Sequence, residues 1–140
     1  MVAGESALPQ LLQKLAPEFI GGEFVFCSVA EASYGDYVSL SPLAAFQERE
    51  GLTLVMQRTA ADEAGLVYAG VFRGITLGVH SSLEAVGLTA AVAQCLAGQG
   101  ISANVIAAYY HDHVFVPTSH AEQAMLALRE LVRSGSRDQS

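Results

Sequence analysis

The chain has 140 residues, of which 51% are hydrophobic and 15% are charged, a composition typical of a compact folded protein and not of a disordered one. Its formal net charge of −7 and its 7 scattered Lys and Arg residues exclude the basic surface that a nucleic-acid partner requires. No apolar run reaches the ~18 residues of a membrane span, and the first residues lack the pattern of a secretory signal, so we expect a cytoplasmic protein without a membrane partner.

The N-terminal half is predicted to hold a short helix, three strands and a second, weaker helix. In chain order these elements cover residues 8–15, 24–29, 42–47, 52–57 and 59–64. Leucines recur at helical spacing in the first element, and Pro17 ends it. Apolar and β-branched residues fill the strands, and Gly51 suits the turn between the second strand and the third.

The C-terminal half begins with a predicted hairpin. Its strands are residues 67–72 and 75–79, with the turn at Arg73-Gly74, because apolar residues alternate along the second strand. A helix, two strands and a final helix follow at residues 88–96, 103–108, 113–117 and 121–132. Residues 135–140 contain no apolar side chain, which predicts a disordered tail.

This order of elements predicts the fold class. From residue 75 onward the chain runs strand, helix, strand, strand, helix, which is a ferredoxin-like βαββαβ plan without its last strand. Either residues 67–72 or residues 24–29 would cover the bare edge, and the sequence does not choose between them. We therefore expect an α+β sandwich, with residues 67–134 as the complete domain and residues 1–66 as a degenerate copy.

The connection between the strand ending at residue 79 and the next helix is the candidate binding loop. Unpaired amides and the positive end of the helix dipole favour a carboxylate at such a position. Gly87 would let a ligand approach the backbone closely, whereas within a helix it would cost about 1 kcal/mol relative to alanine. Alternatively, Ser81 and Glu84 form a capping box and the helix simply starts earlier. The predicted binding residues of this loop are Ser81, Ser82, Leu83, Glu84, Gly87 and Leu88.

His80, His111, Asp112 and His113 raise the possibility of a metal or acid–base site, because imidazole and carboxylate groups serve both roles. Their spacing is poor for that purpose, since no Glu-x-x-His pair or third well-spaced ligand is nearby. A solvated turn stabilised by Asp112 is the preferred interpretation. No Gly-x-Ser-x-Gly elbow or phosphate loop is present either. The sequence therefore predicts no catalytic residue, no metal ligand and no cofactor.

Several segments carry a family resemblance. The strand ITLGV at residues 75–79, the Gly87-Leu88 pair and the GIS turn at residues 100–102 together resemble the ACT domain of amino-acid-regulated enzymes. The segments EGLTL, HSSLEAVGLTA and YYHDHVFVP, which begin at residues 50, 80 and 109, resemble a bacterial family of short stand-alone ACT proteins. A more distant similarity extends to the ACT repeats of the cytosolic arginine sensors of animals.

The resemblance implies a regulatory module that binds an amino acid, has no catalytic activity and forms a homodimer by pairing sheets. The binding loop would hold the carboxylate and ammonium groups of the ligand, while Asn104 or Asp112 would reach its other polar groups. Ser102 replaces the asparagine that touches the effector in many ACT domains. The alternatives are a structural interaction module without a ligand and a metalloenzyme that uses the histidines and Asp112.

Overall fold

The computed structural model describes residues 8–78 and 87–138. In chain order the elements are α1 (Leu8–Gln13), β1 (Pro17–Phe19), β2 (Phe24–Val29), β3 (Ala44–Glu48), β4 (Gly51–Gln57), α2 (Arg58–Ala64), β5 (Phe72–Leu77), α3 (Leu88–Ala97), β6 (Asn104–Ala107), β7 (Asp112–Pro117) and α4 (Ala121–Asp138). Short 3-10 helices cover Val38–Leu40 and Thr118–His120. No helix in these described ranges is both long enough and apolar enough to cross a bilayer.

The chain divides into two units. The inserted unit is Gly21–Arg73, and the terminal unit combines the described residues up to Ile20 with those from Gly74 onward. The boundary falls inside β5, not near residue 67 as the sequence predicted. The helix α1 and the strand β1, which were assigned to the N-terminal half, therefore belong to the same unit as the C-terminal elements.

The inserted unit is built on the antiparallel strand order β3-β4-β2. Alternate residues of β2 and β4 face the core, because the register places Val25 opposite Met56 and Cys27 opposite Leu54. Ala61 of α2 packs on the same cluster. Phe72, at the start of β5, pairs with Phe24 on the free side of β2. The result is the ferredoxin-like strand order.

One element of that plan is missing from the inserted unit. Residues 30–43, which occupy the place of the first helix, contain only the short 3-10 helix Val38–Leu40. Glycine at position 35 and left-handed backbone at Glu31 and Ser41 interrupt any longer helix there. The inserted unit thus keeps the strand order of the ferredoxin-like fold but lacks its first helix. This confirms the prediction that the N-terminal half contains a degenerate copy of the fold.

The terminal unit follows the same plan with α3 and α4 as its helices. β5 lies beside β7, which pairs with β6, and β1 pairs antiparallel with β5. The three helices of this unit bury one face of its strands. The core comprises Leu12, Leu15, Ile75, Leu77, Leu88, Val92, Leu96, Ile101, Val114, Val116, Ala121, Ala124, Met125 and Leu128. The predicted α+β, ferredoxin-like class is confirmed for both units.

The strand beside β5 in this unit is β1, which the sequence did not predict. Its register places Pro17 opposite Leu77 and Phe19 opposite Ile75. Neither of the two segments considered for this edge takes the place that β1 occupies. A strand of 3 residues that begins with proline and contains a glutamate has almost no periodic signal of its own.

The predicted hairpin at Arg73-Gly74 is wrong, because β5 runs without a turn from Phe72 to Leu77. Gly74 is required by packing instead of by a turn. A Cβ atom at this position would lie 2.9 Å from both Ile20 Cδ1 and Phe115 Cε2. The two side chains therefore pack directly against the backbone of the strand, where any larger residue would displace them.

The predicted tail also differs from the structure. Helix α4 continues to Asp138, well into residues 135–140, which the sequence assigned to a disordered segment. Adding residues to a helix that is already nucleated and anchored needs little further free energy, even without an apolar stripe. The polar composition of this segment therefore did not end the helix where we expected.

Candidate functional site

The two ends of the candidate binding loop are fixed by the N-terminal segment. At the end of β5, the Gly78 N–H donates a hydrogen bond of 2.8 Å to the Leu15 carbonyl oxygen. A Cβ atom at Gly78 would lie 3.1 Å from the Ala16 Cβ, so glycine permits this close approach. The strand is thus held against the chain that follows α1.

At the other end of the loop, Gly87 begins helix α3. It is the N-cap residue and has a φ of 104°, in the region that favours glycine. The first helical bond in the structure runs from the Ala91 N–H to the Gly87 carbonyl oxygen, at 2.8 Å. Leu88, only 2% exposed, anchors the first turn in the core. The backbone N–H groups of residues 88–90 precede that bond, so they have no partner within the helix. Gly87 has no side chain that could cap them.

Leu8 of α1 lies next to this helix start. Its methyl carbons are 3.6 and 3.9 Å from the position that a Gly87 Cβ would occupy, which is ordinary van der Waals contact. The space between Gly87 and Leu8, the corner at the start of α3, therefore has one apolar wall, which this chain itself supplies. A small side chain at Gly87 would have space, but its backbone would be strained at a positive φ.

Four predicted binding residues, Ser81, Ser82, Leu83 and Glu84, lie outside the described residues, as does His80. The alternative capping box of Ser81 and Glu84 falls in the same range. Of the predicted loop residues, the structure places Gly87 and Leu88.

Asn104 and Asp112 are not brought together. Both belong to the β6–β7 pair, but Asn104 is opposite Phe115 at one end and Asp112 is opposite Ala107 at the other, a separation of about 10 Å along the strands. They also lie on opposite faces, because Asn104 shares the face of Phe115 while Asp112 shares that of Val114. The Asn104 Nδ2 atom already donates to the Phe115 carbonyl oxygen at 3.3 Å.

The histidines near Asp112 have other partners. His113 Nδ1 lies 3.0 Å from the Thr76 Oγ1, on the face of β7 opposite to that of Asp112. Burial lowers the pKa of His113 and raises the pKa of Asp112, because it disfavours the charged form of each group. Within residues 8–78 and 87–138, no group of three His, Cys, Asp or Glu side chains is arranged to hold a metal ion.

A polar cluster in the inserted unit had not been predicted as a unit. The Arg58 Nη1 atom lies 2.9 Å from Glu23 Oε1, and the Arg58 Nε atom lies 3.7 Å from Asp62 Oδ2. The Tyr68 hydroxyl donates to Asp62 Oδ1 at 2.6 Å. An open cavity of about 410 Å³ lies beside this cluster and is lined by Gly22, Glu23, Gln57, Arg58, Thr59 and Asp62. Glu23 is 35 positions from Arg58 in the chain, so only the strand pairing reveals the cluster.

Two family models, both described as ACT domain, match consecutive parts of the chain, residues 3–73 and residues 72–130. The chain belongs to the ACT domain family. The two matches meet at β5, where the structure also divides the chain into units. ACT domains are regulatory modules that bind small molecules. No curated protein matches the sequence significantly.

The solved structures with a similar fold include one of high sequence identity. A Vibrio cholerae protein of unknown function, described as a possible transport protein, is 54% identical, with a TM-score of 0.82 over 89% of this chain and 95% of that one. An Agrobacterium tumefaciens protein has a TM-score of 0.70 at 13% identity, over 83% of this chain and 87% of that one. The ligand-free regulatory subunit of aspartate kinase from Thermus thermophilus has a TM-score of 0.62 at 10% identity, over 84% of this chain and 97% of that one. The last two similarities show the shared fold.

Proposed function

We propose that this ACT protein is a regulatory sensor of an amino acid, which binds at the start of α3 and undergoes no reaction there. The observation that carries the proposal is the geometry of Gly87. Gly87 has a left-handed backbone and starts a helix of 10 residues. Because it is a glycine, it has no side chain to cap the first amides of that helix. A carboxylate placed against such amides is stabilised both by hydrogen bonds and by the helix dipole.

The ammonium group and side chain of the ligand would contact the loop residues Ser81, Ser82, Leu83 and Glu84. Leu8 supplies an apolar wall for an aliphatic part of the ligand. Asn104 and Asp112 lie on opposite faces of their strand pair, so we propose that at most one of them contributes to this site.

A regulatory role is favoured over an enzymatic one. Asp112 and His113 point to opposite faces of β7, and His113 is engaged by Thr76, so the described residues do not present them as one acid–base pair. A module without any ligand remains the second candidate, and Leu8 beside Gly87 supports it, since the corner is already partly filled.

Assembly and location belong to the same proposal. We expect two copies to associate by pairing their sheets, so that the pocket is completed at their interface, and we expect the protein to act in the cytoplasm. Ligand binding would then stabilise one arrangement of the interface and increase its population. A partner protein would recognise that arrangement.

The test is a thermal-shift screen of the twenty amino acids on the full chain, followed by the Gly87→Trp variant. A ligand that binds only the folded state raises the melting temperature as its concentration increases above its Kd. We expect one amino acid, or a small related group, to raise the melting temperature at millimolar concentration, and we expect Gly87→Trp to abolish this shift because the indole would fill the corner beside Leu8.

The matched control is Gly35→Trp. Gly35 has a similar φ of 94° but nothing within 4 Å of its Cβ position, so the strain is comparable while the candidate site is intact. The Gly35→Trp variant should keep the ligand-induced shift. The proposal fails when no amino acid raises the melting temperature of the unaltered protein, or when the shift survives in the Gly87→Trp variant.

A further inference from the structure

The exposed face of α4 carries an apolar residue between two opposite charges. Leu126 is 64% exposed, whereas Ala121, Ala124, Met125 and Leu128 of the same helix are buried in the core. Glu122 lies four residues before it and Arg129 lies three residues after it. These intervals place all three side chains on one face of the helix.

A groove of about 360 Å³ runs beside this face. Phe19 of β1 and Met125 line it together with Leu126, so its floor is apolar. Glu122 and Arg129 also line it, about 10 Å apart along the helix axis. The groove therefore presents an apolar strip with a negative charge at one end and a positive charge at the other.

Glu122 and Arg129 have no charged partner among residues 8–78 and 87–138. Within the part of the chain that the structure describes, neither Glu122 nor Arg129 forms an ion pair or a hydrogen bond through its side chain. One turn further along α4, Arg133 does bond to Glu130, with 2.9 Å between its Nε and the Glu130 Oε2. The helix thus pairs charges elsewhere but leaves these two available to a partner.

The order of these groups makes the face complementary to itself. Consider two copies of α4 that cross antiparallel about a two-fold axis between Met125 and Leu126. Each Glu122 then meets the Arg129 of the other copy, and the two exposed Leu126 side chains meet close to the axis. A parallel crossing would instead place Glu122 against Glu122 and Arg129 against Arg129. For two copies of the chain, the charge pattern therefore favours the antiparallel crossing over the parallel one.

We propose that this face, which comprises Phe19, Glu122, Met125, Leu126 and Arg129, is a contact surface between two copies of the chain. The antiparallel α4 pair buries Leu126 and closes two symmetry-related Glu122–Arg129 ion pairs. The contact is helical and does not involve the loop at Gly87, so it is separate from the sheet pairing proposed for ligand binding. This contact would join two copies of the chain whether or not the protein binds an amino acid.

Single charge reversals on the full chain test the contact. In Glu122→Arg, two arginines face each other across the axis, and in Arg129→Glu, two glutamates do. Each variant should associate about tenfold more weakly than the unaltered protein, because two attractive pairs become repulsive. Sedimentation equilibrium over a range of protein concentrations measures this association. Glu63→Arg, an exposed reversal in α2, is the matched control and should leave it unchanged.

Mixing the two variants provides the decisive result. A heterodimer of Glu122→Arg with Arg129→Glu restores an opposite pair at both ends of the contact, so an equimolar mixture should associate more strongly than either variant alone. Misfolding cannot produce such a rescue. The proposal is overturned when the unaltered protein shows no association through this face, when the single reversals associate normally, or when the mixture is no stronger than its components.

Discussion

At the scale of single residues, glycines mark the positions where this chain packs its backbone closely. Gly74 allows Ile20 and Phe115 to rest on β5, and Gly78 allows β5 to approach Ala16. Sequence reasoning associates glycine with turns, and for Gly74 that association produced the wrong hairpin. The distinction between a turn glycine and a packing glycine depends on neighbours such as Phe115, which is distant in the chain.

The close packing at Gly74 leads to a direct prediction. Gly74→Ala should lower the free energy of unfolding by about 1–3 kcal/mol, because the added methyl group would lie 2.9 Å from Ile20 and Phe115 atoms that are themselves packed. Urea denaturation measures the change. Gly21→Ala is the control, since nothing lies within 4 Å of its Cβ position, and it should change stability by no more than about 0.5 kcal/mol. Equal stabilities of the two variants would contradict the packing role of Gly74.

His113 gives the protein a pH dependence whose sign follows from its environment. Burial lowers its pKa below the ordinary 6.5, an effect that nearby His111 strengthens and Asp112 opposes. The unfolded chain therefore binds more protons at this position, so the free energy of unfolding falls as the pH drops through 6.5 toward the lowered pKa. The neighbouring Asp112 acts in the opposite sense, because its raised pKa favours the folded state in acid.

The contribution of His113 can be isolated by substitution. We expect the unaltered protein to lose more stability than His113→Gln between about pH 7 and pH 5, the range in which histidine titrates. Denaturation curves at several pH values provide the comparison, and His120→Gln, at an exposed histidine, should behave like the unaltered protein. A His113→Gln variant with the same pH profile as the unaltered protein would show that this histidine is not responsible.

At the scale of elements, the strongly patterned segments were predictable and the short ones were not. The apolar run at residues 24–29 coincides with β2, and the leucine-rich periodicity of residues 121–132 corresponds to α4. The strand β1 was not predicted, because 3 residues carry no recognisable period. The segment in the place of the first helix of the inserted unit forms no α-helix, because it contains Gly35 and has left-handed backbone at Glu31 and Ser41.

The N-terminal segment contributes more to the terminal unit than the predicted boundary at residue 67 implied. Leu12 and Leu15 are buried in the core of that unit, and β1 pairs with β5. We therefore expect a fragment of residues 67–140 to lose cooperative thermal unfolding, because it would expose both that core and the edge of β5. Circular dichroism of the fragment beside the full chain tests this. Cooperative melting at the temperature of the full chain would show that α1 and β1 are dispensable.

At the scale of the whole molecule, the family and the fold class could be derived from sequence, while the binding site stays a prediction, of which the structure describes Gly87, Leu88, Asn104 and Asp112. The Gly87-Leu88 pair was correctly placed at a helix start. Either Asn104 or Asp112 was expected to contact the ligand, and the strand register, which puts them on opposite faces, could not be derived from sequence. A register depends on the turn between two strands, and residues 108–111 do not reveal it by composition. Ser81 to Glu84 remain predictions.

The division of the chain also constrains the order in which the protein can form during its synthesis. The ribosome completes Gly21–Arg73 as one continuous stretch, so that unit has all its residues early. The strand β1 emerges before that unit, yet its partner, β5, is completed only after it. The segment that contains α1 and β1 must therefore wait for β5 before it can pair, and its leucines are exposed to chaperones until then.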